Sequence, residues 1–267
     1  MLIRIISSIA GLPVLASLVI FGGIWLQVGL TAVIIIALVE FYRAFGSVKA
    51  VHCLGLAAAI LHMVLLSMFP MAIPVLPTAL ILLSMILLVV RNKTHDINNC
   101  TITLFGYFYI AVTLSVIYLI RETFGGTYEV WLVFIAAWGC DTGAYFSGWL
   151  FGRRKLAPAL SPKKTVEGAI GGTMIATLLG AAYGFVLYSF GLLDTGHILL
   201  YAVVAFVCSI AGQFGDLAAS AIKRHREIKD FGNIMPGHGG ALDRFDSIIF
   251  TAPFALLMLY VMGVIGT

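Results

Sequence analysis

The chain has 267 residues, 61% of them hydrophobic and only 10% charged, with a formal net charge of +4. A soluble domain of this length is closer to half apolar and has polar residues enough to clothe its surface. That rules out a large water-soluble globular protein, gives no basic surface for nucleic acid, and leaves an all-α polytopic integral membrane protein.

Apolar runs long enough to cross roughly 30 Å of hydrocarbon as helix recur from end to end. They predict about nine transmembrane helices, at 4–22, 25–42, 51–69, 74–90, 102–120, 129–151, 167–190, 197–218 and 246–265. Only Gly22 and Gly23 separate the first two, and Pro13 interrupts the first. The opening segment reads as a span rather than a cleaved signal peptide, because its basic region is Arg4 alone and no soluble domain follows.

Lys and Arg in the short loops set the orientation. Arg4, Arg43, Lys49, Arg91, Lys93, Arg153, Arg154, Lys155, Lys163, Lys164, Lys223, Arg224, Arg226, Lys229 and Arg244 fall on one side of a nine-span arrangement, and Arg121 alone on the other. The N-terminus is therefore expected in the cytoplasm and the C-terminus outside, in the cytoplasmic membrane. Cys53, Cys100, Cys140 and Cys208 have neither disulfide nor zinc spacing and read as small core residues.

Two regions follow. Residues 1–125 hold spans one to five, carry few groups with chemistry and read as scaffold. Residues 126–267 hold spans six to nine with charged cytoplasmic loops at 152–166 and 219–245, and any chemistry is expected there.

Span six contains WGCDTGAYFSGWLFG, with Asp141 about 18 Å along the helix at ~1.5 Å per residue. An ionisable group that deep is a functional candidate by default, and Tyr145 one turn on is a possible partner. Gly139, Gly143, Ala144, Gly148 and Gly152 allow close helix packing, which makes a homodimer plausible as well.

The next loop, FGRRKLAPALSPKKTVEG, offers Lys163 and Lys164 as an anion cradle beside a helix that Thr165 can cap. Ordinary positive-inside charge accounts for the lysines but not for the Ser-Pro-Lys-Lys-Thr arrangement.

In GDLAASAIKR a helix continuing past the membrane surface puts Asp216, Ser220, Lys223 and Arg224 on one face. Snorkelling explains the two cations, but an acid at the end of an apolar span wants solvation, a partner or a metal.

Across the loop, MPGHGG can bring backbone N–H groups to an anion, with His238 either orienting a phosphate or serving the turn. Asp243 and Asp246 follow at i, i+3 at the start of span nine. Helix capping accounts for one acid there. Asp216, Asp243 and Asp246 together make a hard-oxygen set suited to Mg²⁺ shared with substrate phosphates.

The run SAIKRHREIKDFGNIMPGHGGALDRFD, residues 220–246, closely resembles the signature of phosphatidate cytidylyltransferases (CDP-diacylglycerol synthases). GD at 215–216, SPKKTVEG at 161–168 and WGCDTGAY in span six look like the same family's other landmarks, with Met235 and Ala241 as conservative departures. The resemblance implies a membrane enzyme joining CTP to phosphatidic acid, with release of pyrophosphate and a requirement for Mg²⁺, a second cation in the same carboxylate cluster being a further expectation. It implies catalytic roles for Asp216, Asp243, Asp246 and Asp141, the first three holding metal. Substrate binding falls to Lys163, Lys164, Ser220, Lys223, Arg224, Lys229, Asp230, His238, Gly239, Gly240 and Arg244.

Two alternatives stand beside it. A transporter would also bury acids, but usually shows internal repeats with binding groups near the midplane. A CDP-alcohol phosphatidyltransferase would show a D-G-x-x-A-R pattern, which is absent.

Overall fold

The structure is a computed structural model and describes residues 2–46, 50–69, 74–91, 96–234 and 239–265. His238, Lys49 and Lys93 lie outside the described residues. Among these residues nine helices occur in chain order: α1 Leu2–Phe21, α2 Gly23–Ala44, α3 Ala50–Met68, α4 Val75–Val90, α5 Ile97–Thr123, α6 Val130–Phe151, α7 Val166–Ser189, α8 Gly196–His225 and α9 Leu242–Val261. Each coincides with one predicted segment to within a few residues at most ends. Six of them, α2, α3, α5, α7, α8 and α9, are long and apolar enough to cross a membrane, and α4 is a shorter apolar helix.

The all-α expectation needs one correction. Lys155–Ala157 (β1) and Ser161–Thr165 (β2) form an antiparallel hairpin, pairing Lys155 with Thr165 and Ala157 with Ser161. The segment had read as a loop punctuated by Ser161 and Pro162; Pro162 sits near the strand start, where a missing N–H is tolerated.

The chain forms two compact units. One comprises Met1–Thr123 with Arg226–Arg244, the other Phe124–His225 with Phe245–Thr267. Residues 226–244 of the second charged loop thus group with the N-terminal helices.

In the first unit α2 is central. Leu26, Leu30, Ile34, Leu38, Phe41 and Tyr42 are buried along it. Gly55 and Gly106 leave room for Tyr42, whose hydroxyl donates to the Thr103 carbonyl at 3.2 Å. Helix α5 carries π-helical turns at Tyr107–Val112 and Leu119–Thr123.

Arg226 and Phe231 dock on the end of α2 that follows Leu38. Phe231 packs on Phe41 with ring centroids 6.5 Å apart, and Arg226 donates to the Ala44 carbonyl at 3.0 Å while lying over the Phe45 ring.

The second unit is built on small residues at helix crossings. A Cβ on Gly172 would come within 2.6 Å of the Cys140 carbonyl and 2.9 Å of the Ala144 Cβ, so α6 and α7 approach backbone to backbone. Gly180 serves the α7–α8 crossing against Ala205, and Gly215 serves α8–α9 against the Asp246 carbonyl. Thr165 caps α7, accepting from Gly168 N at 3.1 Å.

Candidate active site

Helix α8 runs unbroken to His225, well past the segment expected to end at 218. The predicted face forms: Ser220 Oγ donates to Asp216 Oδ1 at 3.4 Å, one turn apart. The other carboxylate oxygen, Asp216 Oδ2, pairs with Lys164 Nζ, both side chains about a quarter exposed.

Strand alternation explains why Lys164 arrives there and Lys163 does not. Successive strand side chains point to opposite faces, so Lys164 is half-buried while Lys163 is exposed. Glu167 fixes the hairpin's base by accepting from Arg153 N at 3.0 Å and Arg154 N at 3.1 Å. Arg224 fixes its tip, donating from Nε to the Leu160 carbonyl at 3.3 Å.

Asp246, buried in the second turn of α9, accepts from Ser247 N at 2.8 Å. Asp216, Lys223 and Asp141 lie near enough to act on its charge. Ser247 Oγ donates to Asp141 Oδ2 at 3.3 Å, tying α6 to α9, whereas Tyr145 lies edge-on to Phe146. The second unit thus assembles Asp141, Asp216 and Asp246 with Lys164, Lys223 and the hydroxyls of Ser220 and Ser247.

On the same unit an apolar cavity of about 410 Å³ lies along α7 and α8. Leu156, Ile170, Met174, Phe206 and Ile210 line it, with Gln213 and Thr173 as its polar members. Gln213 Nε2 donates to Thr173 Oγ1 at 2.8 Å, and Asp216 follows three residues later on α8.

Asp243 sits differently from its partners in the expected triad. Its Oδ2 accepts from Phe231 N at 2.8 Å and Gly240 N at 3.0 Å, binding the preceding loop to the first turn of α9. Gly239 has φ +84°, and a Cβ there would press on Asp243 Oδ2 at 3.0 Å and Asp230 Oδ1 at 3.3 Å, so the turn requires glycine. Lys229, Asp230 and Arg244 are exposed in this first-unit segment.

One residue was missed. Glu40, in a helix read as scaffold, is 3% exposed and accepts from Ala241 N at 3.1 Å and Leu242 N at 2.9 Å. The available signal was a lone acid near the end of an apolar span, the feature that had singled out Asp216.

The donor set fits Mg²⁺. Carboxylates and hydroxyls are hard oxygen ligands of the kind Mg²⁺ prefers. Among the described residues no three Asp, Glu, His or Cys side chains close into a cage. An open site of one or two carboxylates is what Mg²⁺ takes when substrate phosphates and water complete its shell.

Residues 2–262 match the model of the cytidylyltransferase family. The chain is 32% identical over 270 residues to the phosphatidate cytidylyltransferase of Staphylococcus haemolyticus (strain JCSC1435), spanning 98% of this chain and 100% of that protein. It is 33% identical over 265 residues to that of Staphylococcus aureus (strain COL), spanning 97% and 99%. A shorter match to the Bacillus subtilis (strain 168) phosphatidate cytidylyltransferase is 46% identical over 138 residues, 52% of this chain and 49% of that one.

Proposed function

The chain belongs to the cytidylyltransferase family and is a nucleotidyltransferase, and from that premise we propose that it transfers CMP from CTP to phosphatidic acid, giving CDP-diacylglycerol and pyrophosphate. A phosphate oxygen of the lipid attacks the α-phosphorus in line. The bond from that phosphorus to the bridging oxygen breaks as the new P–O bond forms, and pyrophosphate leaves with the electron pair. Both reactants are anions, so the barrier is largely charge repulsion, and no protein nucleophile is required.

The observation that carries this reading is the Lys164–Asp216–Ser220 group beside Asp246 and Asp141, cations and carboxylates gathered on apolar helices. Lys164 and Lys223 bind phosphate oxygens, and Lys163, exposed on the other strand face, meets CTP from outside. Asp216 and Asp246 would hold Mg²⁺, which neutralises developing charge on the triphosphate when bound. Asp243, expected as a third ligand, is assigned instead to shaping the turn at Gly239 and Gly240 through its bonds to Phe231 N and Gly240 N, and Lys229, Asp230, His238, Gly239, Gly240 and Arg244 keep their expected part in substrate binding. Arg224 holds the hairpin that presents Lys164.

The apolar cavity beside Gln213 takes an acyl chain of phosphatidic acid, within a helical turn of Asp216. Nine crossings with a cytoplasmic N-terminus would put these charged ends on the side where CTP is dissolved. That rests on the Lys and Arg asymmetry of the loops.

The test uses purified protein in mixed micelles with phosphatidic acid, Mg²⁺ and CTP labelled in the cytosine. Label should enter a chloroform-soluble product, and Asp216→Asn should lose it. No transfer by the wild-type protein, or full transfer by Asp216→Asn, overturns the assignment.

A further inference from the structure

We propose that Glu40, in a helix with no other evident chemistry, is a positioning residue for the reaction. It holds Ala241 and Leu242, at the start of α9, in the form that binds CTP. This rests on the cytidylyltransferase reading above.

The first four N–H groups of a helix lack intrahelical partners and are usually satisfied by the residue just before it. Here Ala241 N and Leu242 N, where α9 begins, are bound by the two oxygens of a carboxylate 201 and 202 positions away in sequence. Glu40 is almost wholly buried, which is costly for an acid unless its oxygens are used. An apolar residue would serve α2 equally well as scaffold, without that cost. The need arises at the loop.

The surroundings are shaped to the carboxylate. A Cβ on either Gly232 or Gly240 would press on the Glu40 carboxylate group, so the same side chain crowds both positions. Phe231 on Phe41 and Arg226 on Ala44 tether the same segment to the same end of α2.

Asp243 completes the clamp. Its Oδ2 takes Phe231 N and Gly240 N, so two carboxylates fix four backbone N–H groups of one loop, at Phe231, Gly240, Ala241 and Leu242. Lys229 and Asp230 precede the clamped stretch and Arg244 follows it. Loosening Glu40 therefore displaces the groups assigned to nucleotide binding while leaving the Lys164–Asp216 pair intact.

The experiment compares wild type, Glu40→Gln, Gly232→Ala and the double variant, reading KM for CTP, the Mg²⁺ activation constant, kcat and thermal melting. Glutamine keeps the length but turns an amide donor toward one N–H. A lost charge-assisted bond of this kind corresponds to a roughly ten- to hundredfold rise in KM for CTP. Gly232→Ala pushes on the same carboxylate and should raise KM in the same direction. Because both act through one contact, the double variant should be little worse than the poorer single, and Glu40→Asp should recover part of the affinity.

A merely structural role would lower melting temperature and active fraction with KM for CTP unchanged, and that result overturns the proposal. If Glu40→Gln does not fold, Gly232→Ala decides, an unchanged KM there being equally fatal. An inactive wild type would instead sink the functional reading, so the two failures are distinguishable.

Discussion

Lys164→Met separates a phosphate-binding lysine from one that only sets topology, because it should move two affinities in opposite directions. In the structure Lys164 Nζ pairs with Asp216 Oδ2, a carboxylate oxygen assigned to Mg²⁺. Side-chain exposures of 28% and 23% place the pair between a solvated surface contact and a buried one. Exposed pairs are worth about 0–1 kcal/mol and charge-assisted hydrogen bonds about 1.5–3 kcal/mol, so about 1–2 kcal/mol is reasonable here. Without CTP, Mg²⁺ must displace the ammonium; removing it should tighten Mg²⁺ binding by roughly five- to thirtyfold. With CTP, the lost ammonium–phosphate contact should raise KM for CTP at least about tenfold. Calorimetric Mg²⁺ titration in detergent, alongside labelled-CTP kinetics, reads both. Lys163→Met is the internal control and should shift KM less, since that side chain is exposed on the opposite strand face. Unchanged Mg²⁺ affinity together with unchanged KM for CTP would refute the reasoning and return Lys164 to the positive-inside class.

Asp246→Asn should raise the Mg²⁺ requirement about tenfold or more, whereas Asp243→Asn, which keeps an oxygen acceptor for Phe231 N and Gly240 N, should chiefly raise KM for CTP; a Mg²⁺ dependence shifted equally by both would restore Asp243 as a metal ligand. Ile210→Trp fills the apolar cavity along α7 and α8 and should raise KM for long-chain phosphatidic acid while sparing short-chain substrate; equal effects on both would show that no acyl chain lies there. Tyr201→Phe removes the 2.8 Å hydrogen bond to buried Glu129, costing about 1–3 kcal/mol and lowering the melting temperature by several degrees, with kcat per folded protein unaltered. A loss of kcat at constant folded fraction would mean that this pair reaches the chemistry.

Helix positions were legible because hydrophobic length is dictated by the bilayer, and nothing in the lipid permits irregular backbone. The face Asp216–Ser220–Lys223 was legible too, since helical periodicity is local and needs only that α8 continue to His225. The hairpin was not. Its five-residue strand holds two charges, one threonine and a proline, and it is fixed by Glu167 and Arg224, contacts that no local pattern announces. Reading Lys163 and Lys164 as equivalent followed from that omission, because helix, loop and strand place adjacent side chains differently.

The divergence of Asp243 from Asp246 has the same origin. Three residues apart on a helix they stand about 60° apart in projection, near enough to suggest one ligand set and far enough for one to serve the loop and the other the charged group. Which of them turns toward the loop depends on where the loop's unsatisfied N–H groups lie, and Glu40 helps to fix that from a distant helix. A charged site at the boundary of an apolar body cannot rely on water to hold its loops. It needs buried acceptors for exposed backbone donors, and in this chain those acceptors are carboxylates that composition alone would have counted as anomalies. Glu40 and Asp216 look alike in sequence, each an acid near the end of an apolar helix. They differ in what they face, backbone N–H groups for one and a lysine with a hydroxyl for the other, and it is to the second arrangement that the anionic substrate and its metal are assigned.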